Sequence, residues 1–194
     1  MLNNYLVYLQ VLNEKLNNFF EKQQPYIYCK KGCSLCCRNA QFPYSQIEFE
    51  YLQEGIRLLN PEKKDIIQKN IETILQKKSE FQGESFKYDC PFLINNECSV
   101  YKYRGIICRS FGLLTLNDNG KMSIPFCCFK GLNYSNVMDG SGDKISEEKY
   151  QHLNIEEIPR VFNVSYDFLT NSDFERGFNF SFGDKKPLIE WFMD

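Results

Sequence analysis

Leu2, Leu6, Leu9, Leu12, Leu16, Phe19 and Phe20 recur at spacings of three and four, the period of one helix face. This pattern predicts an amphipathic helix over residues 2–22, packed on the core and ended by Pro25. A second helix is expected from Ser45, because Ser45 and Glu48 have the spacing of a capping box, in which each side chain satisfies a free backbone N–H. Ile47, Leu52, Ile56 and Leu59 supply its apolar face, and Asn60-Pro61 stops it and starts the next. That third helix, about 61–79, places Ile66, Ile67, Ile71, Ile74 and Leu75 on one side, with its lysines forming a solvated face on the other.

From Phe111 to Cys128 the pattern changes. Leu113, Leu114 and Leu116, then Asn117-Asp118-Asn119-Gly120, then Met122 and Ile124 predict a β-hairpin around a Gly-containing turn. Residues 131–145 read as a polar loop, and short helices are expected near 146–153 and 186–193. There is no internal repeat and no low-complexity linker. The fold class is therefore α-rich α+β, a single small domain over 1–194 with several helices and a short β-hairpin.

A length of 194 residues, with 43% hydrophobic and 25% charged, suits one buried core and argues against wholesale disorder. The net charge of −2 gives no electrostatic case for nucleic acid or for an anionic membrane. The N-terminus lacks a basic region followed by an apolar run, and no stretch approaches the roughly 18 apolar residues of a spanning helix. The expected setting is a reducing cytoplasm, and the abundance of Asn, Lys, Ile, Phe and Tyr suggests a bacterial, AT-rich genome. In that setting nine cysteines, an odd number, are poor candidates for structural disulfides.

Four of the cysteines fall within nine residues, Cys29, Cys33, Cys36 and Cys37, and five follow at Cys90, Cys98, Cys108, Cys127 and Cys128. Ligands two or three residues apart can turn back onto one metal or cluster, and Gly32 eases the tight backbone between them. Adjacent cysteines can diverge, so Cys36 and Cys37 can serve different sites; Cys127 or Cys128 can equally be a buried small hydrophobe. Four thiolates around Zn²⁺, or around an oxidised four-iron cluster, carry a net double negative charge that needs nearby cations or N–H donors. Lys30, Lys31 and Arg38 flank the first group, and Arg104 and Arg109 bracket Cys108. The two arginines are candidates for holding that charge, with ordinary surface pairing as the alternative.

Cys33-Ser34-Leu35-Cys36-Cys37, preceded by Cys29, resembles the signature of the CxxCxxCC cysteine-cluster family, associated with zinc or iron chelation. Cys90-Pro91-Phe92-Leu93, Cys98-Ser99-Val100-Tyr101 and Arg104-Gly105-Ile106-Ile107-Cys108-Arg109-Ser110-Phe111 are similar to that family's second block, with Gly105 where proline is usual. The resemblance covers about residues 29–128, with helix 2–22 and the segment 146–194 expected to pack on this core. It implies Cys29, Cys33, Cys36, Cys37, Cys90, Cys98 and Cys108 as ligands, with Cys127-Cys128 closing back from the hairpin. Nine thiols exceed the four of one cluster or one structural zinc, so either two sites exist or some thiols play other parts.

With His152 the sole histidine, a His-rich zinc or non-haem iron site is hard to build. An all-thiolate shell suits iron–sulfur or zinc, and the scatter of the later cysteines favours an iron–sulfur cluster, of the four-iron type, over zinc. His152 reads as a surface residue, and Asp89 and Glu97 as solvated acids. Asp139-Gly140-Ser141-Gly142-Asp143 reads as a loop, lacking the full glycine fingerprint of a phosphate cradle. Three functions stay open: an iron–sulfur protein with a redox or cluster-assisted role, a zinc-stabilised binding module, and a protein-modifying enzyme. The last follows from the lysine N-methylases included in the family, although no recognisable S-adenosylmethionine site is present. The sequence does not specify a protein partner or substrate.

Overall fold

The computed structural model describes every residue except 31, 118, 143 and 194. Lys31 as a flanking cation, Asp118 in the hairpin turn and Asp143 in the 139–143 loop therefore lie outside the described residues. Roughly half of the chain is helical, with a few short strands in small sheets.

Helix α1 spans Leu2–Lys22, as the periodicity predicts, but its buried face is Tyr5, Tyr8, Leu9, Leu12 and Leu16. Leu6 stays 38% exposed. The stripe is rotated because the two tyrosines carry the larger apolar area and meet an aromatic cluster. Tyr5 packs against Tyr51, Phe180 and Phe182, and Tyr8 against Phe174 and Phe178.

Strand β1 (Pro43–Ser45) leads into α2 (Gln46–Arg57), and α3 runs Pro61–Glu80 with Asn60 accepting the Lys63 N–H at 2.9 Å. At the start of α2 the Ser45 N–H and hydroxyl both donate to the Glu48 carboxylate, at 2.9 and 2.7 Å. The same carboxylate accepts the Ile106 N–H at 2.7 Å and the Tyr166 hydroxyl at 2.6 Å. A local cap thus doubles as a long-range tie.

Next come the short strands β2 (Leu93–Ile94) and β3 (Glu97–Cys98), α4 (Ile106–Ser110), and β4 (Leu114–Leu116) with β5 (Met122–Ser123). The last pair is the predicted hairpin, Thr115 opposite Ser123 and Leu116 opposite Met122. After α5 (Glu147–His152), β6 (Val161–Phe162) adds to β4 in parallel, a strand too short to show a period in sequence. The tail holds α6 (Tyr166–Leu169), α7 (Ser172–Phe178) and β7 (Lys185–Pro187).

Two expectations are corrected. The segment near 186–193 starts in β7, paired antiparallel with β1, and turns through a 3-10 helix at Leu188–Phe192. The stretch 131–145 is a loop but not a polar one, since Asn133, Tyr134, Val137 and Met138 are buried.

Two apolar clusters fill the interior. The first joins α1 to Ile106, Leu113, Leu114, Tyr134, Val137, Phe180 and Phe182, and includes Cys128. The second joins α2, α3 and the C-terminal turn through Phe49, Leu52, Ile67, Ile71, Ile74, Leu188 and Ile189, with Cys90 and Cys98 at its edge. Among the described residues no helix is long and apolar enough to cross a membrane.

Candidate metal centre

The first cysteine group sits on a tight turn. The Cys33 N–H donates to Lys30 C=O at 2.9 Å and the Cys37 N–H to Ser34 C=O at 2.9 Å. Gly32 has φ +84°, the left-handed conformation that a side chain resists. A 3-10 turn at Leu35–Cys37 then places Cys36 Sγ and Cys37 Sγ 3.9 Å apart.

Backbone bonds zip this turn to the second block. The Cys90 N–H donates to Cys37 C=O at 2.8 Å, and Ala40 and Tyr88 exchange both backbone bonds at 3.1 and 3.2 Å. Asn95 and Asn96, at φ 51° and 63°, form the tight turn between β2 and β3. Positive φ at both central positions suits a twisted two-residue hairpin, and β3 carries Cys98 opposite Leu93. Arg38, read in sequence as a cation for the sulfurs, instead spans the blocks. It pairs with Asp89 at 3.0 Å, donates to Asn96 Oδ1 at 2.7 Å and to Ser34 Oγ at 3.3 Å.

Gly105 caps α4, the helix that carries Cys108. Its N–H donates to the buried Tyr44 hydroxyl at 2.8 Å, and a Cβ there would lie 2.6 Å from the Tyr44 ring. Tyr44 also hydrogen-bonds Cys108, so the glycine lets one tyrosine hold both the α4 start and a sulfur. Gly105→Pro, which restores the residue usual at this place in the resembled motif, is expected to cost about 1–3 kcal/mol of stability by overpacking and by loss of that hydrogen bond. Chemical denaturation of the two proteins measures the difference.

All nine cysteines are free thiols. Electrostatic coupling links eight of them. Cys29 feels Cys33 and Cys36; Cys37 feels Cys36, Cys90 and Cys108; Cys98 feels Cys36; Cys127 feels Cys29, Cys33 and Cys36. Cys36 is common to every set. Cys128 has no such neighbour, its thiol being raised by burial alone in the main core. The vicinal pair at 127–128 therefore diverges.

Burial pushes the Cys90 thiol well up, and pushes Cys108 and Cys127 each to about 12. The S–H···S contact between Cys36 and Cys37 works the other way, drawing one thiol of the pair down as the other gives the hydrogen bond. The group is gathered but not closed: among the described residues no three Cys, His, Asp or Glu side chains are set to hold an ion as they stand.

Supporting groups surround the sulfurs. Asn133, fully buried, meets Cys29 Sγ with Nδ2 at 3.3 Å, donates to Gly112 C=O at 2.9 Å and accepts the Tyr28 N–H at 2.9 Å. Arg104 lies within electrostatic reach of Cys36, Cys98 and Cys108, stacks 3.8 Å from the Tyr101 ring, and has a buried Nε with no hydrogen-bond partner among the described residues. Arg109 is occupied otherwise, donating to Arg104 C=O, Lys102 C=O and Asn13 Oδ1 at 3.0, 2.8 and 3.0 Å. His152 and Glu97 are exposed, and Asp89 is taken by Arg38. Sequence reasoning missed Tyr44 and Asn133, and saw in Glu48 only a local cap.

The donor chemistry fits a soft metal or cluster: clustered thiols, no histidine among them, and an orphaned guanidinium N–H beside them to meet negative charge. A family model matches residues 28–128; it is named CxxCxxCC and described as a "putative zinc- or iron-chelating domain". No curated protein and no solved structure matches.

Proposed function

The chain belongs to the CxxCxxCC family, and from that premise we propose that it holds an iron–sulfur cluster on thiolates drawn from separate stretches of chain. Membership supports metal chelation in general. One observation carries the finer reading: Cys36 shares its electrostatic surroundings with sulfurs from the 29–37 turn, from Cys90, from β3 and α4, and from Cys127. A cluster has several metal corners and accepts ligands of wide sequence separation, whereas structural zinc usually takes paired knuckles.

Cys29, Cys33, Cys36, Cys37, Cys90, Cys98, Cys108 and Cys127 are the candidate ligands, and Cys128 is a packing residue. Arg104 offsets the thiolate charge, Asn133 orients Cys29, and Tyr44 orients Cys108. When bound, a cluster supplies one-electron chemistry or a Lewis-acidic iron corner. The protein side gathers the thiols, shields them by burial and supplies N–H and O–H donors.

Zinc is the second reading, favoured by the compact turn around Gly32 with Cys33 and Cys36 at knuckle spacing. Anaerobic purification followed by assay of iron, zinc and acid-labile sulfide separates the two. Iron with matching sulfide and a broad absorbance band at the visible–ultraviolet border is the expected result. Zinc without sulfide would replace the proposal with the second reading, and neither metal would remove both.

A further inference from the structure

A cleft of about 630 Å³ opens between α3 and the 86–96 segment, beside the sulfur group, with Cys90 in one wall. That is the size of a small-molecule site. Lys77 enters from α3 and Lys87 from the facing segment. Among the described residues neither lysine is paired with a carboxylate. Arg38 adds a third cation, and the sole carboxylate in the lining, Asp89, is already bound to it. The cleft is therefore locally positive on a chain whose net charge is −2, which singles out Lys77 from the solvated lysine face of α3.

The walls are not wholly polar. Ile74 and Leu93 line the cleft, and Phe86 and Tyr88 stack with ring centroids 5.6 Å apart at 23°. Two lysines without a carboxylate partner share the lining with half-buried Phe86 and Leu93, which suits a ligand with an acidic head and an apolar body.

We propose that this cleft binds a small organic anion, a carboxylate or phosphate ester with a flat apolar body. Lys77 and Lys87 grip the acid group, and Ile74, Phe86 and Leu93 cover the body. The grip is assigned to Lys77 and Lys87, neither of them a candidate metal ligand, so its test is a binding measurement on the protein as purified.

Four probes separate the terms: phenyl phosphate, benzoate, benzamide as the neutral body, and inorganic phosphate as the bare charge. Calorimetric titration is expected to give binding by benzoate or phenyl phosphate below about 10 mM, with the charged probe at least about ten-fold tighter than benzamide or inorganic phosphate. Backbone amide shifts should centre on Asn70, Thr73, Lys87 and Asn95. Lys77→Gln with Lys87→Gln, both exposed and Gln being nearly as helix-compatible as Lys, should weaken binding about ten-fold or more at an unchanged melting midpoint. Unaltered affinity in that double variant, shifts elsewhere, benzamide equal to benzoate, phosphate equal to its phenyl ester, or no binding by either acid would each overturn the proposal.

Discussion

Glu48→Ala is expected to cost about 3–5 kcal/mol of folding stability, the scale of an opened buried polar network. The Glu48 side chain is fully buried and accepts from Ser45 twice, from Ile106 and from Tyr166. Alanine leaves two backbone N–H groups and two hydroxyls without a partner, each costing about 1–3 kcal/mol when out of reach of water. Part of that total returns as the cavity relaxes or admits water. Because one of the lost bonds fixes the first N–H of α4, the helix bearing Cys108, metal retention should fall with stability. A urea midpoint read beside metal content checks both.

The same residue predicts an unusual pH response. Burial outweighs the hydrogen bonds and holds the Glu48 carboxyl above its ordinary value of 4.5. A raised carboxyl pKa means that the folded state binds the proton more tightly than the unfolded chain. Its stabilising contribution is therefore complete below about 4.5 and is lost as pH rises through the higher folded value. The stability difference between the native protein and Glu48→Gln should shift against the native protein over that window. A difference flat with pH would mean that Glu48 titrates as it does in an unfolded chain.

The second large effect lies in the sulfurs. Cys36→Ala is expected to reduce bound metal at least about ten-fold, the scale on which even supporting residues act at metal sites, while Cys128→Ala leaves metal per chain unchanged. Cys36 is the sulfur common to all the coupled sets, and it lies 3.9 Å from Cys37. Cys128 differs from Cys127 by one position, yet belongs to the apolar interior with Ile106 and Val137. Its loss should cost only packing, about 1 kcal/mol. Metal analysis of the two variants at equal folded fraction decides the matter, and equal metal in both would remove Cys36 from the centre.

Long elements with a strong period were legible in the sequence. The spans of α1, α2 and α3 follow from leucine and isoleucine spacing, from Ser45 with Glu48, and from Asn60-Pro61. The orientation of α1 was less so, because Tyr5 and Tyr8 compete with the leucine row and a distant aromatic cluster decides between them. The β2–β3 turn left a readable mark in Asn95-Asn96 that two-residue strands made easy to overlook. Strand β6 and the pairing of β1 with β7 are products of tertiary contact, with no local pattern to announce them.

For the site, residue types and spacing pointed to the cysteines, but only three-dimensional placement separates Cys127 from Cys128. Asn133 and Tyr44 were invisible for a similar reason. An asparagine in a loop and a tyrosine before a helix are ordinary until Cys29 and Cys108 are found beside them.

The β1–β7 pairing closes a long loop of chain. Tyr44 lies on β1 opposite Lys186, and its carbonyl accepts the Trp191 indole N–H at 3.2 Å. The strand that seats this tyrosine under α4 thus takes its partner from a segment far beyond the last cysteine. Holding Cys108 firmly therefore depends on chain that lies beyond every cysteine, with β7 as its latch.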